Sequence, residues 1–253
     1  MKKTFRIILI SLCVILILVC GGIFVYDFLN GDPYDDLYEA SLNDIEVDEK
    51  DKKDAVIDNE TIKMSPDVDL AQERINHNNN DIIGRLEIPD LFNILVVRGT
   101  DNKYYLNRNL DKKSDIKGNE FLDFRVGPTS KQINIYGHNT RDPNIKVPFL
   151  RLERFNDEQF FNDNKYIILQ YDGGKSVYKI TAWKEVQDAE HMVVDTTGTD
   201  FLSHMTKLMT GFTFKREVPY DMDSDIIILQ TCSHHLDNAY YLLIGIKIDY
   251  NGE

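Results

Sequence analysis

From residue 81 onward, apolar residues come in short runs that are rich in β-branched and aromatic side chains. Glycine, asparagine and aspartate separate the runs, a pattern that is typical of β-strands joined by turns. The predicted strands are 83–88, 94–98, 120–124, 132–136, 166–171, 176–186, 225–231 and 240–249. About eight strands with few helices predict a mainly β domain that is closed or nearly closed, so that its edges are hidden.

Three amphipathic segments interrupt or precede these strands. A helix is predicted to begin at Pro66 under the cap of Ser65 and to end near residue 76, because serine caps helices and proline suits the first helical position. A second helix is predicted over 156–162, capped by Asn156. A third is predicted over 200–209, with Phe201, Met205 and Leu208 on its inward face.

Residues 7–26 form an uncharged apolar run, preceded by Lys2, Lys3 and Arg6. As a helix the run would span about 30 Å, the thickness of a bilayer core. The preceding basic residues predict a cytoplasmic tail (1–6), a single transmembrane anchor (7–26) and an extracellular body at the cell membrane. A cleaved signal peptide is the alternative, but the run is long and no small-residue cleavage site follows it. A lipoprotein site at Cys20 is disfavoured by the bulk of Val19.

The chain carries a formal net charge of −13, and the segment 27–65 is especially rich in acidic residues. This segment predicts an acidic stalk with a short helix around 35–42, followed by a folded domain over 66–253. Such an acidic chain is a poor nucleic-acid binder, since phosphates are neutralised by clustered Lys and Arg.

Outside the predicted anchor, Cys232 is the only cysteine. It follows the apolar run Ile226–Leu229 and precedes the polar Ser233. The thiol is therefore predicted to lie at the end of a buried central strand, where the chain reaches the surface. The alternatives are a buried structural cysteine and a nucleophile on a rigid mount. A metal site formed by Cys232, His234 and His235 would need further ligands, and no CxxC or HExxH motif is present, so no metal site is predicted.

A catalytic cysteine needs a base or imidazolium partner. Of six histidines, His138 has a setting like that of Cys232, because it follows the apolar run 133–136 through Gly137. A solvated turn histidine is the alternative. His234 and His235 are neighbours of each other, so on a strand they would point to opposite faces.

Together these segments resemble class B sortases, the membrane-anchored cysteine transpeptidases of Gram-positive bacteria. The matching stretches are Asn80–Leu86, Asp101–Leu106, Phe121-Leu122-Asp123, the histidine motif Tyr136–Asn139 and the cysteine motif Thr231-Cys232. His138 and Cys232 are 94 positions apart, which leaves room for the helix-bearing insertion, at about 187–222, that distinguishes class B from class A.

The resemblance implies an eight-stranded β-barrel with flanking helices and a reaction that needs no cofactor. Cys232 would attack a carbonyl in the C-terminal sorting signal of a secreted protein and form a thioester. An amino group of a peptidoglycan precursor would then resolve the thioester, with His138 as general acid and base. Thr231 and Asn139, beside these two residues, are the candidate substrate-binding residues.

One position departs from the family pattern. The family has an arginine at the start of the last strand, where the alignment of the segment 242–247 places Tyr241. Either Tyr241 or a loop arginine, Arg141 or Arg151, takes over the role, or activity is weak. A degenerate sortase that only binds sorting signals, and a plain extracellular cysteine peptidase, are therefore the competing hypotheses.

Overall fold

A computed structural model describes residues 45–142, 144–187 and 198–250 of the chain. The strands are β1 (Lys53–Ile57), β2 (Glu60–Met64), β3 (Ile82–Ile88), β4 (Phe92–Val97), β5 (Phe121–Leu122), β6 (Gln132–Tyr136), β7 (Tyr166–Tyr171), β8 (Gly174–Gln187), β9 (Phe214–Lys215), β10 (Ile226–Cys232) and β11 (Ala239–Ile248). The α-helices are α1 (Leu70–Asn76), α2 (Glu158–Asp163) and α3 (Gly198–Leu208). Turns of 3₁₀-helix cover Glu49–Asp51, Tyr104–Asn107 and Pro148–Asn156.

Eight strands form a closed barrel in the order β11-β10-β6-β5-β4-β3-β7-β8, and β8 pairs back onto β11. The short β9 adds to β8 outside this ring. Closure leaves each of the eight strands with a neighbour on both sides, which confirms the predicted mainly β, closed architecture. The strands β6 and β7 coincide with the predicted ranges 132–136 and 166–171.

Alternating side chains on the strands fill the barrel interior. Ile133, Ile135, Ile227, Leu229 and Leu243 are fully buried there. Because neighbouring residues of a strand point to opposite faces, the residues between them lie on the outside of the barrel. On one part of that outer face, α3 packs against β10 and β11.

The contacts of α3 confirm the predicted inward face. Phe201, Met205 and Leu208 are buried against Ile228 and Ile244 on the outer side of the barrel. A helix with this spacing of apolar residues covers a sheet face that would otherwise be open to water.

Two predicted helix starts are wrong. The first helix begins at Leu70, and Asp69 caps it by accepting a hydrogen bond from the Gln72 backbone N–H. Ser65 instead donates from its backbone N–H and its Oγ to Glu87 Oε1, at 2.9 and 2.7 Å. The second begins at Glu158 under the cap of Asp157, while residues 148–156 form 3₁₀ turns.

Part of the predicted stalk belongs to the folded body. Strands β1 and β2 pair as an antiparallel hairpin, and the buried Ile57 and Met64 pack against Tyr166, Ile168 and Val177 of the barrel. The predicted anchor at 7–26 and the short helix around 35–42 lie outside the described residues. Among the residues that are described, no helix is both long and apolar enough to cross a bilayer.

Candidate active site

The parallel pairing of β6 with β10 brings His138 beside Cys232. The pairing runs from Gln132 opposite Ile226 to Tyr136 opposite Gln230. It continues past the strands, because Gly137 N–H donates to the Gln230 carbonyl at 3.1 Å and Thr231 Oγ1 donates to the Gly137 carbonyl at 2.9 Å. Each residue of β6 pairs with the residue 94 positions later in β10. The same register, continued by two residues, places His138 opposite Cys232.

Cross-strand partners share a face of the sheet, so the register also decides which side chains meet. Cys232 lies opposite Tyr240 on β11, and Tyr136 lies opposite Phe121 on β5. All four point to the outer face and border one cavity of about 360 Å³. The cavity is lined by Asn102, Leu106, Phe121, Arg125, Tyr136, Gly137, His138, Gln230, Thr231, Cys232 and Tyr240.

The thiol of Cys232 is free and partly buried. Burial raises its pKa, because the thiolate loses hydration that the neutral thiol does not need. The resting thiol is therefore protonated at neutral pH, and the reaction needs a group that can take its proton.

His138 is held by the connection between β4 and β5. Its Nε2 lies 2.6 Å from the backbone carbonyl of Leu106. A carbonyl can only accept, so Nε2 carries the hydrogen and the Nδ1 of the neutral ring is the acceptor. Gly118, at φ +62°, permits this approach: a Cβ there would lie 2.8 Å from the Leu106 oxygen and 3.0 Å from His138 Cδ2.

The two predicted substrate-binding residues have different positions. Thr231 lines the cavity. Asn139 is buried beneath it, where its Nδ2 donates to Glu153 Oε1 at 2.7 Å and to the Cys232 carbonyl at 2.9 Å. Asn139 thus braces the ends of β6 and β10 against each other and does not line the cavity. His234 lies 3.3 Å from the Asn139 carbonyl and is likewise not among the lining residues.

The placement of Tyr241 in the site is wrong by one residue. Tyr241 pairs with Thr231, points into the barrel and is 1% exposed. Its ring stacks on Trp183 with centroids 4.9 Å apart, and its hydroxyl lies 2.8 Å from His235 Nδ1. A shift of one position on a strand exchanges the two faces, so it is Tyr240 that borders the cavity beside Cys232.

Neither loop arginine proposed from the sequence lines the cavity. Arg151 is buried on another part of the barrel and hydrogen-bonds the carbonyl of Leu91, and Arg141 is exposed outside the lining. Arg125, the one arginine among the lining residues in the described part of the chain, was not predicted from the sequence. The sequence did carry a signal for it, because Arg125 lies two residues after Asp123, the last residue of the matched stretch Phe121-Leu122-Asp123.

Comparisons with known proteins agree with this geometry. A sortase B of Clostridium perfringens has 25% sequence identity and a TM-score of 0.64, and the match covers 71% of this chain and 99% of that one. A Staphylococcus aureus sortase B in complex with substrate has 20% identity and a TM-score of 0.63, with 71% and 84% covered. A Streptococcus pyogenes class B sortase involved in pilus biogenesis has 22% identity and a TM-score of 0.60, with 72% and 98% covered.

No protein-family model matches the sequence, and no curated protein is similar to it at the sequence level. The likeness therefore lies in the barrel, which carries a half-buried cysteine, Cys232, at the end of β10. The chain therefore has the fold of its structural neighbours, which are class B sortases, and it carries Cys232 at the rim of the cavity.

Proposed function

We propose that this protein cleaves a C-terminal sorting signal in secreted proteins and transfers them to an amino group of a peptidoglycan precursor. The observation that supports the proposal is that Cys232, at the end of β10, and His138, just after the paired strand β6, border the same cavity. A nucleophile and a proton carrier on adjacent strands of a closed barrel have little freedom to separate.

In the first half-reaction, Cys232 Sγ attacks a backbone carbonyl of the signal while its proton passes to His138 Nδ1. The tetrahedral intermediate collapses, the C–N bond breaks, and the leaving amine takes the proton from His138. The acyl part of the substrate is then a thioester on Cys232. The hydrogen bond from Nε2 to the Leu106 carbonyl holds the ring so that Nδ1 remains the working atom.

In the second half-reaction, the acceptor amine attacks the thioester carbonyl and gives up a proton to His138. The C–S bond breaks, the sulfur recovers a proton, and a new amide bond joins the protein to the acceptor. Residues of this chain supply both proton transfers.

The cellular setting is part of the same proposal. The uncharged run 7–26, behind Lys2, Lys3 and Arg6, anchors the protein in the cell membrane with its barrel outside. Secreted proteins and peptidoglycan precursors would both be available to the barrel on that side. The lipid bilayer is then the third partner, bound through residues 7–26.

A second candidate function is a degenerate sortase that binds sorting signals without turnover. The observation that favours it is the last strand, where Tyr240 borders the cavity and no arginine follows Arg216 in the sequence. Binding without acylation would leave Cys232 unmodified, so the two functions give different products.

Product analysis separates these functions. The full chain is incubated with a library of sorting-signal peptides, with and without an oligoglycine amine, and the products are identified by mass spectrometry. Transpeptidation predicts a new amide product that requires the amine and disappears in Cys232→Ala. Hydrolysis at the same rate in both conditions would indicate a peptidase, and binding without cleavage would indicate the degenerate sortase.

A further inference from the structure

Arg125 occupies the part of the cavity wall that faces β6. It follows β5 by three residues, and its side chain is 48% exposed. It borders the same space as Cys232, His138 and Tyr240. The cavity therefore holds a permanent cation although β11 contributes none to it.

A buried carboxylate fixes the orientation of this cation. Arg125 Nε and Nη2 donate to the two oxygens of Asp123 at 2.9 and 2.7 Å, which is the forked geometry of a guanidinium–carboxylate pair. Asp123 itself is fully buried and also accepts from Asn102 Nδ2 and the Tyr136 hydroxyl, both at 2.9 Å. Three side chains from separate segments thus converge on one anion.

The charge state of Asp123 follows from these contacts. Burial by itself would raise its pKa, but the hydrogen bonds from Arg125, Asn102 and Tyr136 outweigh burial and lower the pKa to about 2. Asp123 is therefore ionised at every physiological pH, and the pair with Arg125 persists.

The pair uses only part of what Arg125 can donate. A guanidinium has five N–H groups, of which Asp123 takes one on Nε and one on Nη2. The Nη1 amine is not part of the fork that binds Asp123, and the side chain as a whole is about half-exposed. An ordinary exposed ion pair would contribute little to stability, yet here the carboxylate is buried and only the cation reaches the cavity. This arrangement holds a donor ready for an acceptor that arrives from solution.

We propose that Arg125 is the substrate-binding cation of this site, donating from its outer N–H groups to a carbonyl oxygen of the peptide and to the negative charge that develops on it. The assignment rests on the proposed sortase function. Arg125 lies on the β5–β6 connection. It would replace the arginine that the resembling family has at the start of the last strand, because β11 contains no arginine. Tyr136, Asn102 and Asp123 are positioning residues, because they act through Arg125.

The test compares Arg125→Gln and Arg125→Lys with Arg154→Gln in the full chain. Arg154 is a matched control, since it stacks on Phe160 and does not line the cavity. Single-turnover acylation uses the peptide that the wild type acylates fastest. We expect a loss of about 10²-fold or more for Arg125→Gln, the usual effect of removing one oxyanion donor, and a smaller loss for Arg125→Lys. Tyr240→Arg in the Arg125→Gln background should restore at least tenfold.

Two further measurements exclude a merely structural effect. Alkylation of Cys232 by iodoacetamide displaces iodide at a methylene carbon and forms no oxyanion, so its rate should stay within twofold of wild type in Arg125→Gln. In the Cys232→Ala background, fluorescence anisotropy with the same library should show weaker binding of its best-bound member after Arg125→Gln. Peptide binding can be measured even if the wild type does not acylate the peptide. A failure of the wild type to acylate would contradict the proposed function but not the assignment of Arg125.

Three results would overturn the assignment. The first is acylation by Arg125→Gln within threefold of wild type. The second is alkylation that falls in parallel with acylation, since Arg125 would then act on the thiol. The third is unchanged peptide binding by Arg125→Gln in a chain that does not acylate.

Discussion

At the scale of single residues, the reactivity of the site depends on a thiol that burial keeps protonated. Cys232 is half-buried, and burial is the cause of the upward shift in its pKa. The thiolate therefore becomes available only when a base approaches or when the pH rises.

This shift predicts a pH profile for alkylation. An acid whose pKa is raised stays neutral to higher pH, so the rate of Cys232 alkylation by iodoacetamide should be low at pH 7. It should rise with a midpoint above the ordinary thiol value of about 8.5. The rate is measured between pH 6 and 11 on the full chain, with Cys232→Ala to subtract labelling elsewhere. A midpoint below 7 would show a preformed thiolate–imidazolium pair instead.

Tyr241 and Tyr240 offer a paired prediction about the two faces of β11. Tyr241→Phe removes a buried hydroxyl and its hydrogen bond to His235, so we expect a loss of about 1 kcal/mol in the free energy of unfolding, with acylation nearly unchanged. Tyr240→Phe should do the reverse, changing the acylation rate while leaving stability nearly unchanged. Urea unfolding and single-turnover kinetics measure the two effects. A tenfold slower reaction in Tyr241→Phe at unchanged stability would place Tyr241 in the site after all.

Residue types and their settings predicted Cys232 and His138 from the sequence, and the alignment of the last strand placed Tyr241, not Tyr240, at the arginine position. That choice depends on the register of β11 against β10, which the pairing of Cys232 with Tyr240 sets in three dimensions. Arg125 was missed for a similar reason. It follows a strand of only two residues, and its relation to the cavity exists only once β5 has paired with β6.

At the scale of elements, the most buried strands are the ones whose ranges the sequence predicted most accurately. The strands β6 and β7 are almost entirely buried, and their apolar runs matched the predicted ranges. Each strand of the β1–β2 hairpin buries fully only its last residue, Ile57 or Met64, within an acidic sequence. One buried residue in five gives no detectable alternation, so this hairpin was interpreted as a stalk.

The hairpin predicts where the chain can be shortened. A chain that begins at residue 45 keeps the hairpin and should remain soluble and folded. A chain that begins at residue 66 loses the buried Ile57 and Met64 and exposes Tyr166, Ile168 and Val177. Full burial of two such side chains corresponds to about 3 to 6 kcal/mol, so the shorter chain should melt at a distinctly lower temperature. Equal melting temperatures in calorimetry would show that the hairpin is dispensable.

At the scale of the whole molecule, the barrel joins segments that are far apart in sequence into one site. The residues come from separate segments: Cys232 ends β10, His138 follows β6, Tyr240 is on β11, and Leu106 and Arg125 are on the connections around β5. Composition and periodicity indicated a closed β domain of about eight strands, and the family resemblance implied an eight-stranded barrel. Neither could show how the loops converge, because that depends on pairing between strands separated by 94 residues.

The central claim is that Cys232, assisted by His138, carries the acyl group of the substrate. Intact-protein mass spectrometry of the full chain with a sorting-signal peptide tests it directly, followed over time for wild type, His138→Ala and His234→Ala. We expect an acyl adduct on Cys232 that an added amine removes, formed about 10³-fold more slowly in His138→Ala and at a nearly normal rate in His234→Ala. Peptide cleavage without an adduct on Cys232, or a nearly silent His138→Ala beside an inactive His234→Ala, would contradict it.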